Sequence, residues 1–363
     1  MKKIAIFPYH PDCNILIEYR DALCGFELAG FLSYTEDTHL TYLLNSNIGL
    51  ENPTYYDILC NCDAVIVLDN FRGYADNKYY QVIEDSIKQK KELLITPLAE
   101  TQLKLEKYRG KYEILELLPA GVKDGDLYSR NVQITDFCEP EIPIIAVLGA
   151  GKHCGKFETQ LLFKSVFEDD YKTAAIASNP LGALFGCYTV PQFMYGNIQF
   201  QDKIFMFNFY VNEISRESDF DVMLLGIPEG ILQFEKEEFH HFAEYPLVIT
   251  SAISVDVAVF CTYFSYGATS NVIRNEIEQI VESVSNRFRI PIDAVVLSGT
   301  TYELPKTLFD SVTFEFLEKS YVRKHYPDLA GINIPVFDIL TKHKALDVAK
   351  SLLLRLQDNP ETV

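Results

Sequence analysis

Apolar and polar positions alternate along this chain with two different periods. Short apolar runs at 3–8, 26–34, 62–70, 92–96 and 112–117 have strand length. Between them, residues 14–24, 79–90 and 98–108 repeat their apolar positions at helical spacing. The pattern resumes after a break, with apolar runs at 144–149, 172–178, 220–227, 255–262, 293–298 and 335–339 and amphipathic helices at 157–167 and 344–356. The break, 119–142, holds Pro119, Gly121, Gly125 and Pro140 among many charges and reads as a linker. Strand and helix in alternation predict parallel sheets with helices on their faces. The expected organisation is two α/β domains, 1–118 and 143–363, joined by 119–142.

The junction of the strand at 144–149 with the helix at 157–167 turns the reading from fold to chemistry. Ile144, Ile145, Ala146, Val147 and Leu148 end in Gly149, Ala150, Gly151, Lys152, His153, Cys154, Gly155 and Lys156. From Ala150 to Lys156 the spacing is G-x-x-x-x-G-K with Ala at the first glycine, and strand, turn and helix follow in the required order. Successive N–H groups of such a turn converge on an anion, the helix N-terminus adds partial positive charge, and Lys156 adds a full one. Lys152 is a second cation inside the loop. The alternative is a glycine-rich turn with two solvated lysines. The predicted fold is therefore a Rossmann- or flavodoxin-like parallel sheet followed by a P-loop NTPase-like parallel sheet. The first strand carries no G-x-G-x-x-G after it, so a dinucleotide reading there is weak.

Departures from the motif narrow the chemistry. The Ser or Thr whose hydroxyl would ligate Mg²⁺ is replaced by Phe157, followed by Glu158. Glu158 suits a helix N-terminus. Thr159 is the nearest hydroxyl, and two residues on it faces another side of the helix. Anion binding is expected, and Mg-dependent hydrolysis is doubtful. Ligands of open α/β sheets bind beyond the carboxyl ends of strands, which adds Asn179, Glu229 and Ser298, Gly299 and Thr300 to the crevice. No Asp ends the run at 220–227; Glu229 stands beyond it as the candidate catalytic carboxylate, or as a group that orients an amine. In the first domain Asp69 and Asn70, at the end of its best strand, are the candidate site. The aromatic segment from Tyr188 to Tyr210 reads as core packing, and His240 and His241, among glutamates, as a solvated face.

Composition adds limits. At 363 residues, with 25 Phe and 22 Tyr, the chain can bury two cores. Its 51 acidic against 32 basic residues give a charge of −19, which disfavours nucleic acid and anionic membranes and favours a cationic partner. Without a signal segment or a membrane-length apolar run, the expected location is the cytoplasm. The eight cysteines are scattered with no C-x-x-C pair, so no metal site is expected. Cys154, in a cationic turn at a helix N-terminus, is the one thiol with a reason to be reactive.

The second domain resembles the SIMIBI class of P-loop proteins, whose loops carry an extra lysine as Gly149 to Lys156 does. That resemblance implies ATP or GTP as ligand, with Lys156 on phosphate, and no Asn-Lys-x-Asp element selects guanine. The whole chain resembles the clostridial peptide maturation system proteins, found beside radical-SAM maturases of Cys-rich peptides. The likeness rests on Tyr19-Arg20-Asp21-Ala22, Leu184-Phe185-Gly186, Pro191-Gln192-Phe193-Met194-Tyr195 and Gly226-Ile227-Pro228-Glu229-Gly230. It implies an accessory role in maturing a ribosomal peptide natural product, with that peptide or a radical-SAM maturase as partner, and it leaves a homodimer open. In layout the chain is also similar to the D-glutamate N-acetyltransferases, which implies coenzyme A as an alternative ligand. A partner-binding module with a relic loop is the third reading.

Overall fold

The computed structural model describes residues 1–9, 13–33, 45, 49, 53–69, 75–120, 122, 137–232, 243–265, 267–304, 312–329, 331–338 and 342–358. Asn70, His240 and His241 lie outside them. The chain divides into two compact units, Met1–Leu118 with Pro180–Asn197, and Pro119–Asn179 with Ile198–Val363.

The first unit runs β1 (Lys2–Phe7), α1 (Asn14–Glu18), β2 (Phe26–Phe31), α2 (Tyr55–Asn61), β3 (Ala64–Val67), α3 (Asp76–Lys88), β4 (Glu92–Ile95), α4 (Pro97–Gln102) and β5 (Glu113–Ile114). The strands pair in parallel in the order β2-β1-β3-β4-β5. All four residues of β3 are buried, which fits a parallel sheet covered on both faces. In α3, Tyr79, Val82, Ile83 and Ser86 are buried; this i, i+3, i+4, i+7 stripe faces the sheet. A capping box starts α2, where the Asp57 amide donates to the Thr54 hydroxyl and the Thr54 amide to the Asp57 carboxylate.

Two expectations here are corrected. The helix predicted over 98–108 stops at Gln102, followed by an extended Leu103 and a 3₁₀ turn over Glu106–Tyr108. Leu103 and Leu105, two positions apart, both enter the core, which one helix face does not allow. The strand predicted over 112–117 is paired only at Glu113 and Ile114.

The second unit begins with the described part of 119–142, which docks through both backbone and side chain. The Asn208 side chain donates to the Cys138 carbonyl and the Ala252 carbonyl, and Glu139 accepts from Ser254. Then come β6 (Ile144–Gly149), α5 (Lys156–Phe167) and β7 (Thr173–Ala177). The excursion Pro180–Asn197 follows, with a 3₁₀ turn (Pro180–Phe185), the short β8 (Tyr188–Thr189) and a second 3₁₀ turn (Gln192–Tyr195). It is stitched into the first unit: Cys24 N–H donates to the Leu184 carbonyl, Thr189 exchanges bonds with Leu117, and Gln192 donates to Glu100.

The chain returns through α6 (Phe200–Glu217), β9 (Val222–Gly226), α7 (Glu244–Ala252), β10 (Val257–Thr262), α8 (Ser270–Phe288) and β11 (Ala294–Leu297). A hairpin, β12 (Thr300–Glu303) with β13 (Thr313–Phe316), precedes α9 (Lys319–Lys324), β14 (Val336–Asp338) and α10 (Lys342–Asp358). Within this unit the parallel order is β14-β11-β10-β6-β9-β7. The first strand, β6, is central, flanked by β9 and β10, so the chain winds first to one side of it and then to the other. That places its carboxyl end at a topological switch point. Phe193, Phe207 and Tyr210 are fully buried, so the aromatic segment packs the interior as expected, with Phe200 half-exposed. No helix among the described residues is long and apolar enough to cross a membrane.

Candidate functional site: the loop after the central strand

Every residue of β6 is buried, and its register sets Gly149 opposite Cys261 of β10 and Val147 opposite Gly226 of β9. Gly149 is the position the turn cannot do without. A Cβ there would stand 2.4 Å from Cys154 Sγ and 2.8 Å from the Cys261 carbonyl oxygen. Ala150, at the motif's first glycine, is fully buried and donates its N–H to that same carbonyl at 2.8 Å. His153 (φ 58°) and Gly155 (φ 83°) take left-handed backbone, and Gly155 caps α5. For His153 this conformation is strained, and such strain collects at functional sites.

Lys156 opens α5 and turns back over the loop. Its ammonium donates to the Gly151 carbonyl at 2.6 Å and lies 3.7 Å from Cys154 Sγ. The residue is only 8% exposed, which excludes a solvated lysine. No carboxylate among the described residues pairs with it. A cation held at a helix N-terminus against a neutral carbonyl is a place prepared for an anion.

Lys152 differs. It is exposed, and its ammonium lies 3.6 Å from the Glu229 carboxylate. Its carbonyl accepts a 2.5 Å bond from the Tyr263 hydroxyl. Glu229 itself sits at φ 56°, on the segment 227–232 that follows β9. That segment lies backbone to backbone on the loop: Ile231 and Leu232 donate to the Ala150 carbonyl, and a Cβ on Gly230 would stand 2.2 Å from the Gly151 Cα.

The remaining predicted residues fall into place around this centre. Cys154 is fully buried and its thiol donates to the Gly151 carbonyl, so it fills the turn and offers no exposed nucleophile. Phe157 is buried. Thr159 is fully buried and donates to the Gly155 carbonyl one turn back, at 2.8 Å, with Cys261 Sγ at 3.6 Å. Its hydroxyl is thus engaged inside α5, away from the loop's mouth. Glu158 stands half-buried in the first turn of α5. Asn179 follows β7, two strands from β6 and on the same carboxyl edge. Burial pushes the Cys261 thiol far above the usual range, with the charge of Cys154 adding to it. Tyr245 of α7 is pushed up the same way, first by burial and then by Glu229 and Glu244.

Two sets of residues escaped the sequence reading. Gln160 bridges α5 to β7, donating to the Ile176 carbonyl and accepting from Ser178 N–H, and its amide occupies the space a Cβ on Gly226 would need. The hairpin β12–β13 brings an aromatic wall to the loop. The His153 ring lies edge-on to Phe314 at 5.0 Å and to Phe316 at 5.7 Å, and Tyr263 packs on Tyr302 and Phe314. The signal was present as alternation in Thr313, Phe314, Glu315 and Phe316. Ser298 and Thr300, which the strand-end rule did select, are buried and hold this junction: Ser298 N–H donates to Thr262 and Phe264 N–H to Thr300.

No protein-family model matches the chain, and no curated protein matches it in sequence. Among solved structures it is similar to a DUF1611-family protein from Anabaena variabilis, over 97% of this chain and 100% of that one, with a TM-score of 0.58 at 12% identity. The two share a fold. An apo-form GTPase from Pyrococcus abyssi matches 59% of this chain and 85% of its own at 15% identity, with a TM-score of 0.32. A nucleotide-binding protein from Archaeoglobus fulgidus, in complex with ADP, matches 66% and 96% at 14% identity, with a TM-score of 0.30. Likenesses as loose as the last two add nothing to the assignment of fold.

Proposed function

We propose that the second unit binds the phosphate end of a nucleotide, ATP or GTP, on the loop 149–156. The observation that carries this is Lys156: a buried ammonium, at the N-terminus of α5, with no carboxylate partner among the described residues. Phosphate would take the place of the Gly151 carbonyl and collect the N–H groups of the turn. Lys152 supplies further charge once it leaves Glu229.

The residues do not fit the usual Mg²⁺ site. Phe157 stands where its hydroxyl ligand belongs, and the Thr159 hydroxyl is bonded inside the helix. The reading is therefore binding, with Glu229 as a counter-charge that the ligand displaces. The same feature favours coenzyme A as the second ligand class, because a pyrophosphate can be held by amides and lysine without a metal. Either ligand suits an accessory protein of peptide maturation, the role implied by the resemblance over the whole chain, with a peptide or its maturase as partner.

Calorimetric titration of ATP, GTP and coenzyme A, with and without Mg²⁺, tests the proposal on wild type and Lys156→Ala. Loss of a charge-assisted phosphate contact should cost about 2 kcal/mol, roughly thirtyfold in affinity. Absent heat, or heat that the mutation leaves unchanged, reduces the loop to architecture and leaves a partner-binding module.

A further inference from the structure

The first unit has a topological switch point of its own, on residues other than the loop 149–156. Its strand order, β2-β1-β3-β4-β5, reverses direction between β1 and β3, and an open parallel sheet binds its ligands beyond the carboxyl ends of strands at that point. The edge is well defined: Leu68 N–H donates to the Phe7 carbonyl and Thr96 N–H to the Val67 carbonyl, so the ends of β1, β3 and β4 lie side by side.

Two buried hydroxyls sit on this edge without hydrogen-bond partners among the described residues, those of Tyr79 and Thr96. Tyr79 is 0% exposed and Thr96 1%. Tyr79 comes from the first turn of α3, and its ring packs edge-on against Phe7 at 5.2 Å. Thr96 follows β4 at the cap position of α4, yet its side chain makes no capping bond. A buried hydroxyl that gains no hydrogen bond carries a desolvation cost that folding alone does not recover, so two of them, one packed against the end of β1 and one following β4, ask for an explanation.

The charge around them is negative. Asp69 lies two residues beyond β3, and the charges that push the Tyr79 phenol upward, after burial itself, are those of Asp69 and Asp76. The hydroxyls can donate or accept, while the carboxylate of Asp69 only accepts.

We propose that this edge is a second binding site, for a small molecule bearing an ammonium group, held by the hydroxyls of Tyr79 and Thr96 and the carboxylate of Asp69. An anion is disfavoured there by the two aspartates, and the chain's net charge of −19 works in the same direction.

The test uses the full chain and calorimetry with putrescine, ethanolamine and L-lysine, with glycerol and inorganic phosphate as neutral and anionic comparators. At least one ammonium compound should bind. Tyr79→Phe and Asp69→Asn should weaken it by about tenfold or more, and Lys156→Ala should leave it unchanged. Tyr79→Phe removes only the unpartnered hydroxyl, so its melting temperature in buffer should equal or exceed the wild type's. Thr96→Val provides a second variant of the same kind. Failure of all three ammonium compounds to bind overturns the proposal. So does binding that both hydroxyl variants leave within about twofold, or, in the Lys156→Ala protein, stronger binding of phosphate than of any amine.

Discussion

Lys156 and Lys152 show how one loop can hold two cations in different conditions. The first is buried against a carbonyl and a thiol, whereas the second is exposed and neutralised by Glu229 at 3.6 Å. On the proposed reading an incoming phosphate competes with Glu229 for Lys152. Glu229→Gln should therefore strengthen ATP or coenzyme A binding by about fivefold, the worth of one partly exposed charge near 1 kcal/mol. Calorimetry on the variant checks this, and weaker binding would make Glu229 a ligand-holding group instead of a competitor. Gly230 is the second residue with a sharp consequence. The atoms that a Cβ would meet are the backbone of Ala150 and Gly151, which cannot swing aside as a side-chain end can. Gly230→Ala should cost about 1–3 kcal/mol by overpacking, seen as a lower urea midpoint, and should weaken phosphate binding because the loop shifts. An unchanged midpoint would show that 227–232 moves freely over the loop.

At the scale of elements, α5 is anchored at both ends of its first turns: Lys156 to the loop, and Gln160 to β7 through Ile176 and Ser178. Gln160→Leu would leave the buried Ile176 carbonyl unsatisfied, at about 1–3 kcal/mol, and the half-buried Ser178 amide without its partner at a smaller cost. The expected result is a large fall in stability with little change in the ligand's dependence on Lys156, measured by urea titration beside calorimetry. The same elements explain what the sequence disclosed. Strands such as β3 and β6 were legible because burial on both faces makes them continuous apolar runs, and α3 because its buried stripe has helical period. The loop was legible because its geometry is local, set by Gly149, Gly155 and Lys156 within a few residues. Its companions come from remote chain. Glu229 and Thr300 could be reached by the rule of strand ends, whereas Phe314 and Phe316 lie together on β13, a four-residue, largely solvent-facing strand too short to stand out. The excursion Pro180–Asn197 was illegible in another way. It is apolar enough to be core, but nothing local says which core, and its bonds to Cys24, Glu100 and Leu117 decide that.

For the molecule as a whole, acidity of the surface and burial of weak acids combine to set the alkaline limit. Burial pushes the Cys62 thiol up to about 11, and it lifts the Cys261 thiol and the phenols of Tyr79, Tyr245 and Tyr326 further still. In each case the folded value lies above the unfolded one, so the folded protein keeps a proton that the unfolded chain gives up. The stability linked to these groups is thus complete below about pH 7.5, well under the ordinary thiol value near 8.5, where thiols and phenols are protonated in both states. It declines as pH rises through the ordinary thiol and then phenol range, by about 1.4 kcal/mol per pH unit for each group that ionises only on unfolding. Urea titrations followed by far-ultraviolet circular dichroism should show a midpoint that is level from pH 6.5 to 7.5, slopes down through the thiol range and falls steeply by pH 10.5. Both units are affected, since Tyr79 belongs to the first and Tyr245 to the second. Repulsion among the surplus acids, −19 at neutrality, grows over the same range and steepens the fall, and this part alone is relieved by salt. Tyr79→Phe separates the two causes. It should flatten the slope above pH 10 by one proton's worth at every salt concentration, and an unchanged slope would mean that surface repulsion, not buried phenols, limits the fold in alkali.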